Sequence, residues 1–225
     1  MGNKVLTIAI DGPSASGKST VSKRVAAALD YIYVDSGAFY RGVTWAAVGR
    51  GIDVTESAAV VTMLDALDFR LSVADKVAWF SVDGVDPGDA IRGEAVRESV
   101  SFVARVPEVR SFIVEQLQAI ATHGSLVMEG RDIGSVVFPD SRFKFYLDAD
   151  PEERARRRNA EITEMEGRSD VGDVMNSLQR RDEMDSKRKT APLTVADGAH
   201  VVNTTGMSIE DVVHEILDII RCHDA

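Results

Sequence analysis

Residues Gly12-Pro13-Ser14-Ala15-Ser16-Gly17-Lys18-Ser19 follow the pattern GxxxxGK[ST]. An apolar run, Val5 to Ile10, precedes them, and Val21, Val25, Ala26 and Leu29 recur at helical spacing after them. That placement between strand and helix gives the pattern its meaning. Glycines and small residues let the main chain curl with its N–H groups turned inward, around phosphate oxygens. The helix opening near Lys18 adds its positive end. Lys18 supplies a mobile charge for the outer phosphates, and the Ser19 hydroxyl a ligand for Mg²⁺. Thr20 closes the segment. A chain built on such a loop is expected to be α/β, with the loop at the end of a parallel strand.

The remaining elements fit that class. Tyr31 to Val34, Leu126 to Glu129, Phe143 to Leu147 and His200 to Asn203 read as further buried strands. Helices are expected over 39–48, over 55–67 with Thr55 as cap, from Pro107 to Gly124, from Pro151 with Asp150 as cap, over 174–189, and after Ser208. Asp68 to Ile91 changes character. Its alternating apolar residues, with Asp83-Gly84 and Pro87-Gly88, predict a small antiparallel insert. The expectation is therefore a doubly wound parallel sheet of five strands with an inserted hairpin.

Charge narrows the function. Lys and Arg number 26 against 36 Asp and Glu, a formal net charge of −10 over 225 residues. The global field repels polyanions, so neither nucleic acid nor an anionic membrane is an expected partner. The single cysteine, Cys222, excludes an intrachain disulfide and a Cys-based zinc site. The apolar run before Asp11 is too short for a signal-peptide core, and no later segment approaches a membrane span, so a soluble cytoplasmic protein is expected. His123, His200, His214 and His223 stand away from the motifs and are expected to play no role.

The phosphate loop alone does not name a reaction. No Asn-Lys-x-Asp guanine-reading sequence is present, and Asn3-Lys4 stands at the wrong end. The strand expected of a switch ATPase should end in an acid pair, whereas Leu126-Val-Met-Glu129 runs into Gly130-Arg131-Asp132. Arginines crowd near turns: Arg41, Arg131, then Arg154, Arg156, Arg157, Arg158, Arg180, Arg181 and Arg188, with Lys187 and Lys189. Residues 154–189 hold 10 basic and 8 acidic side chains, a local +2 in an acidic protein. Guanidiniums match phosphate oxygens bidentately, so a second anionic ligand beside the triphosphate is expected. Arg181, Asp185 and Arg188 stand at i, i+4 and i+7, on one helix face. They form either a ribose and phosphate site or ordinary solvated ion pairs. Asp132 reads either as a turn cap or as an acceptor for a base amino group.

Taken together, GPSASGKST at 12–20, DSGAFYR at 35–41, EGRDIGSVVFPD at 129–140 and RRDEMDSKRKTAPL at 180–193 resemble the bacterial cytidylate kinases. The likeness extends over almost the whole chain, hairpin region included. It implies phosphoryl transfer from ATP to CMP or dCMP, with Mg²⁺, in a monomer. It assigns the donor to Gly12 through Thr20 with an arginine of the 154–158 group, Arg157 being the one taken here. It assigns the acceptor phosphate to Ser36, Arg41, Arg131 and Arg188, with Gly37 also in the CMP site, the cytosine to Ser101, Arg110 and Asp132, and the ribose to Arg181 and Asp185. Lys18, Arg131 and Arg188 would carry the catalysis. It also implies an acceptor region over 36–105, with the hairpin at about 68–91, and a mobile lid over 151–172. The loop departs mildly from the commonest family form, with Ala15, Ser16 and Ser19 in place of other small residues, and Ser19 keeps its hydroxyl.

Overall fold

A computed structural model describes residues 5–224, apart from the side chains of Met165, Glu166, His223 and Asp224. The expectations for Asn3-Lys4 and for His223 therefore lie outside the described residues. Chain order runs β1 (Thr7–Asp11), α1 (Lys18–Leu29), β2 (Ile32–Asp35), α2 (Ser36–Gly49), α3 (Ser57–Asp65), β3 (Phe69–Ala74) and β4 (Val77–Val82). It continues with α4 (Glu94–Val103), α5 (Pro107–Ala119), β5 (Leu126–Gly130), β6 (Phe143–Asp148), α6 (Pro151–Glu166), α7 (Val171–Lys187), β7 (His200–Asn203) and α8 (Ile209–Asp224). Between β5 and β6 lies one wide turn, Ile133–Val137, in which Val137 N–H reaches back five residues to Asp132 O at 3.2 Å.

One sheet in the order β3-β4-β2-β5-β1-β6-β7 carries the molecule. The strands β2, β5, β1, β6 and β7 are parallel, as expected. Side chains alternate across it: Ile8 and Ile10 face one layer and Ala9 the other. Helices α1 and α8 cover the first face through Val21, Val25, Val212, Ile216 and Ile220. Helices α2 to α5 cover the second through Phe39, Val43, Val60, Val100, Ile113 and Leu117. This two-sided burial explains why the central strands are nearly continuous apolar runs.

The strand count differs from the expected five. The β3–β4 hairpin joins the same sheet, with Tyr33 N–H donating to Lys76 O at 2.8 Å, and raises the total to seven. Its turn is Asp75-Lys76, both in the left-handed region, while Asp83-Gly84 forms a second turn just after β4. Phe39, Phe69, Phe80 and Phe112 pack ring on ring and fasten the hairpin to α2 and α5. A Cβ on Gly42 would lie 2.3 Å from Phe80 Cε2, so α2 and β4 approach at van der Waals limit there.

One expected cap is replaced, and the other, Asp150, holds its N-cap position without a side-chain bond. Thr55 does not cap α3. Its N–H and hydroxyl both bond Asp53 Oδ1, at 2.9 and 2.7 Å, because the ionised carboxylate is the stronger acceptor. Asp150 is exposed and caps nothing with its side chain, while its N–H donates to Thr205 Oγ1 at 2.9 Å. Ser208 does cap α8, accepting from Asp211 N–H at 3.1 Å. Helix α4 was not expected at all, although Val96, Val100 and Val103 form its buried face.

Candidate active site

Asp11 ends β1, and the phosphate loop turns away from it at Gly12 (φ +150°). A Cβ on Gly12 would fall 2.1 Å from Leu147 O, so no other residue fits beside β6. Lys18 folds back over the loop and donates to Pro13 O at 2.7 Å. Burial lowers its ammonium to about 7, the Arg131 charge adds to the fall, and Glu129 opposes it. The Ser19 hydroxyl donates to Glu129 Oε2 at 2.8 Å, and Tyr33 OH to Glu129 Oε1 at 2.6 Å. Burial, helped by the Asp35 charge, pushes Glu129 above the usual carboxylate range.

Across from the loop, β2 runs straight into α2. Asp35 caps that helix by accepting Ala38 N–H at 3.0 Å and holds Arg41 at 2.7 Å. Burial pushes the Asp35 carboxyl up, but the Arg41 guanidinium and the Ala38 bond outweigh it and hold it low. Ser36 Oγ donates to Glu129 O at 2.7 Å. From the end of β5, Arg131 reaches Ser14 Oγ at 2.7 Å and Asp185 Oδ2 at 3.0 Å. Asp132 pairs with Arg110, which also donates to Ala104 O at 3.0 Å and lies over the Tyr40 ring. Arg188 stands 3.6 Å from Asp132 and 3.9 Å from Asp185. Burial lowers Arg181 to about 10, with Arg131 adding to the fall.

These groups line one cleft of about 420 Å³. Ser14, Ala15, Gly17, Lys18, Ser19 and Thr20 form one wall. Ser36, Gly37, Arg41 and Ser101 form the other, Arg131 and Asp132 lie between, and Arg181, Asp185 and Arg188 close the top. The spacing of Arg181, Asp185 and Arg188 thus serves the cleft rather than a solvated face, and Arg188 is the residue that ends α7. Asp185 is clamped by Arg131 and Arg188, not by Arg181. Gly12, Pro13 and Ser16 of the loop are not among the cleft-lining residues, nor is Arg110, which pairs with Asp132. Arg157 sits outside the lining, with its Nη2 donating to Thr204 O at 2.8 Å, whereas Arg158 faces in. Arg156, Arg180, Lys187 and Lys189 are exposed, as are His123, His200, His214 and Cys222.

Seven buried side-chain polar atoms among the described residues have no hydrogen-bond partner, and five belong here: Tyr40 OH, Arg41 Nε, Arg110 Nε, Arg181 Nε and Arg188 Nη2. Four orphaned guanidinium donors in one place are costly without an anion to meet them. For a metal, Ser19 and Glu129 offer hard oxygens at the foot of the cleft, and no group of three or more His, Cys, Asp or Glu among the described residues is suited to hold one. That sparse set fits Mg²⁺, which takes one or two protein oxygens together with substrate phosphates.

The profile of the family described as Cytidylate kinase matches residues 8–222. The chain belongs to that family. A cytidylate kinase of Geobacillus kaustophilus is 43% identical over 216 residues, covering 96% of each chain. One from Shouchella clausii is 41% identical over 220 residues, covering 98% of each. A solved structure of an uncharacterized protein from Eubacterium ventriosum shares the fold, with TM-score 0.54 at 13% identity over 97% of this chain and 99% of that one. Residues that sequence reasoning gave no role include Asp11, Asp35, Tyr40 and Asp182, and Arg154 was named only as one of the basic group. Glu129 was noticed only as a poor fit to an acid pair, yet an acid next to last in a buried strand was the available signal.

Proposed function

We propose that this cytidylate kinase family member transfers the terminal phosphoryl group of ATP to CMP or dCMP, giving ADP and the diphosphate. The observation that carries the reading is the facing of two cradles across one cleft, the amide loop with Lys18 and the arginines with unmet donors. In this reading the loop from Gly12 to Thr20 holds the donor, with Arg157 behind Gly17 bracing it. Ser36, Gly37, Arg41, Arg131 and Arg188 hold the acceptor phosphate. Ser101, Arg110 and Asp132 read the base, and Arg181 and Asp185 the sugar. Asp132 accepts from the cytosine amino group, and uracil would set an acceptor against it.

The acceptor phosphate is already a nucleophile, so no general base is needed. One of its oxygens bonds to the γ-phosphorus as the bond to the β–γ bridging oxygen breaks, and ADP leaves with that electron pair. Lys18, Arg131 and Arg188 neutralise the charge that spreads over the transferring group. Mg²⁺ held at the Ser19 hydroxyl, with Glu129 accepting behind it, would supply further neutralisation and orientation of the donor phosphates. Residues 36–105 act as the acceptor region and 151–172 as a lid that excludes water. One chain supplies both cradles, so we read the working unit as a cytoplasmic monomer without nucleic-acid or membrane partners. No helix among the described residues is long and apolar enough to cross a membrane.

An ADP-release assay with a panel of monophosphates tests this. Turnover with CMP and dCMP well above UMP is expected. Turnover only with a different acceptor, or ATP binding without acceptor-dependent release, would replace the reading with another small-molecule kinase or a nucleotide-driven switch.

A further inference from the structure

The carboxylate of Asp11 is buried at the very end of β1, one residue before the phosphate loop, and Asp11 is not among the residues that line the cleft. Both of its oxygens are used. Oδ1 accepts Ile133 N–H at 2.8 Å, and Oδ2 accepts Gly134 N–H at 2.8 Å. Those are the first two amides of the wide turn that follows Asp132. A helical turn leaves its leading N–H groups without internal partners, and buried ones must find an acceptor. Asp132 has an unusual backbone (φ −150°, ψ 26°), and its own carbonyl accepts Val136 and Val137 N–H at 2.9 and 3.2 Å. The turn is confined on its far side too, since a Cβ on Gly134 would stand 3.2 Å from Lys144 and 3.3 Å from Ala196.

We infer that Asp11 is a specificity-determining positioning residue: it fixes the turn after β5 so that Asp132 meets the base edge from the Arg110 side. The inference rests on the proposed cytosine reading of Asp132. A two-oxygen acceptor of this length is required. Ser or Asn offers one acceptor at most to the two amides, and the Asn amide would set its own N–H₂ against the second. The turn then shifts, and Asp132 with it, while Arg41 and Arg188, which hold the acceptor phosphate together with Arg131, come from other elements. Misplacement of a reading group by about 1 Å changes rates by roughly a hundredfold.

The test is the ratio of kcat/KM for CMP to that for UMP, at saturating ATP, in the unaltered protein, Asp11→Asn and Asp11→Ser. A ratio does not depend on how much of a variant preparation is folded, so a poorly folding variant still reports. A role in stability alone lowers both acceptors together. We expect the ratio to fall roughly 10- to 100-fold in both variants, mainly through a higher KM for CMP. A ratio kept within about threefold of the unaltered protein's overturns the inference and leaves the acceptor reading standing. An unaltered protein with no preference for CMP overturns the reading and the inference with it.

Discussion

Asp132 is buried, with Arg110 against it and Arg188 3.6 Å away. In the proposed reading, truncating it removes the acceptor for a base amino group and leaves a guanidinium free to bond either pyrimidine. Asp132→Ala is therefore expected to lose most of the preference for CMP over UMP in the ADP-release assay; unchanged discrimination would move base reading elsewhere. Asp185→Ala should raise the KM for CMP by about tenfold or more and that for ATP much less, because its partners Arg131 and Arg188 hold the acceptor phosphate in the proposed reading. Asp11 makes a pH prediction. Burial raises its carboxyl to about 6 from 3.8, the Asp132 charge adds to the rise, and the Ile133 and Gly134 amides and Lys18 restrain it. A raised folded pKa contributes stability that is complete below the unfolded value and is lost as pH rises through the folded one. Relative to Asp11→Asn, the unaltered protein should lose on the order of 3 kcal/mol between pH 4 and pH 7, read by urea unfolding at each pH.

Elements were legible where one face is buried along a regular repeat. The strands β1, β5 and β6 and the helices α1 and α8 match their apolar patterns because the sheet's two covered faces impose them. Misreadings arose where a local bond competed. Asp53 took the hydroxyl of Thr55, and a left-handed Asp75-Lys76 pair made the hairpin turn in place of the Asp-Gly signal downstream. Helix α4 is short and follows Gly93, so its three valines gave little to see, yet it delivers Ser101 to the cleft. Packing between elements is equally hidden. Gly42 reads as an ordinary helical glycine, but α2 meets β4 there. Gly42→Ala should destabilise the protein by about 1–3 kcal/mol in urea unfolding, with the KM for ATP unchanged.

At the scale of the whole molecule, an excess of acidic residues surrounds a cleft whose ceiling and second wall are cationic. Arginines were recognisable as a group in the sequence, but that Arg41, Arg131 and Arg188 converge was legible only through the family resemblance, because they come from three separate elements. Arg154 shows the limit. It reads as one more basic residue on a helix exterior, yet it is buried, donating to Ser14 O at 3.1 Å and pairing with Asp182 of α7. Since the two cradles are separate, CMP should bind without ATP. At about 100 times its Kd it would add about 2.7 kcal/mol to stability, seen as a higher unfolding temperature that UMP does not match.

The residues at and just beyond the end of β5 deal their side chains to different partners in turn: Glu129 to Ser19 and Tyr33, Arg131 to Ser14 and Asp185, Asp132 to Arg110. A single inserted or deleted residue in that short stretch would hand every one of them to the wrong neighbour while leaving the hydrophobic interior intact. Length variation over evolution should accordingly be tolerated at the hairpin tip and in the stretch after α7, and be absent between Glu129 and Gly134.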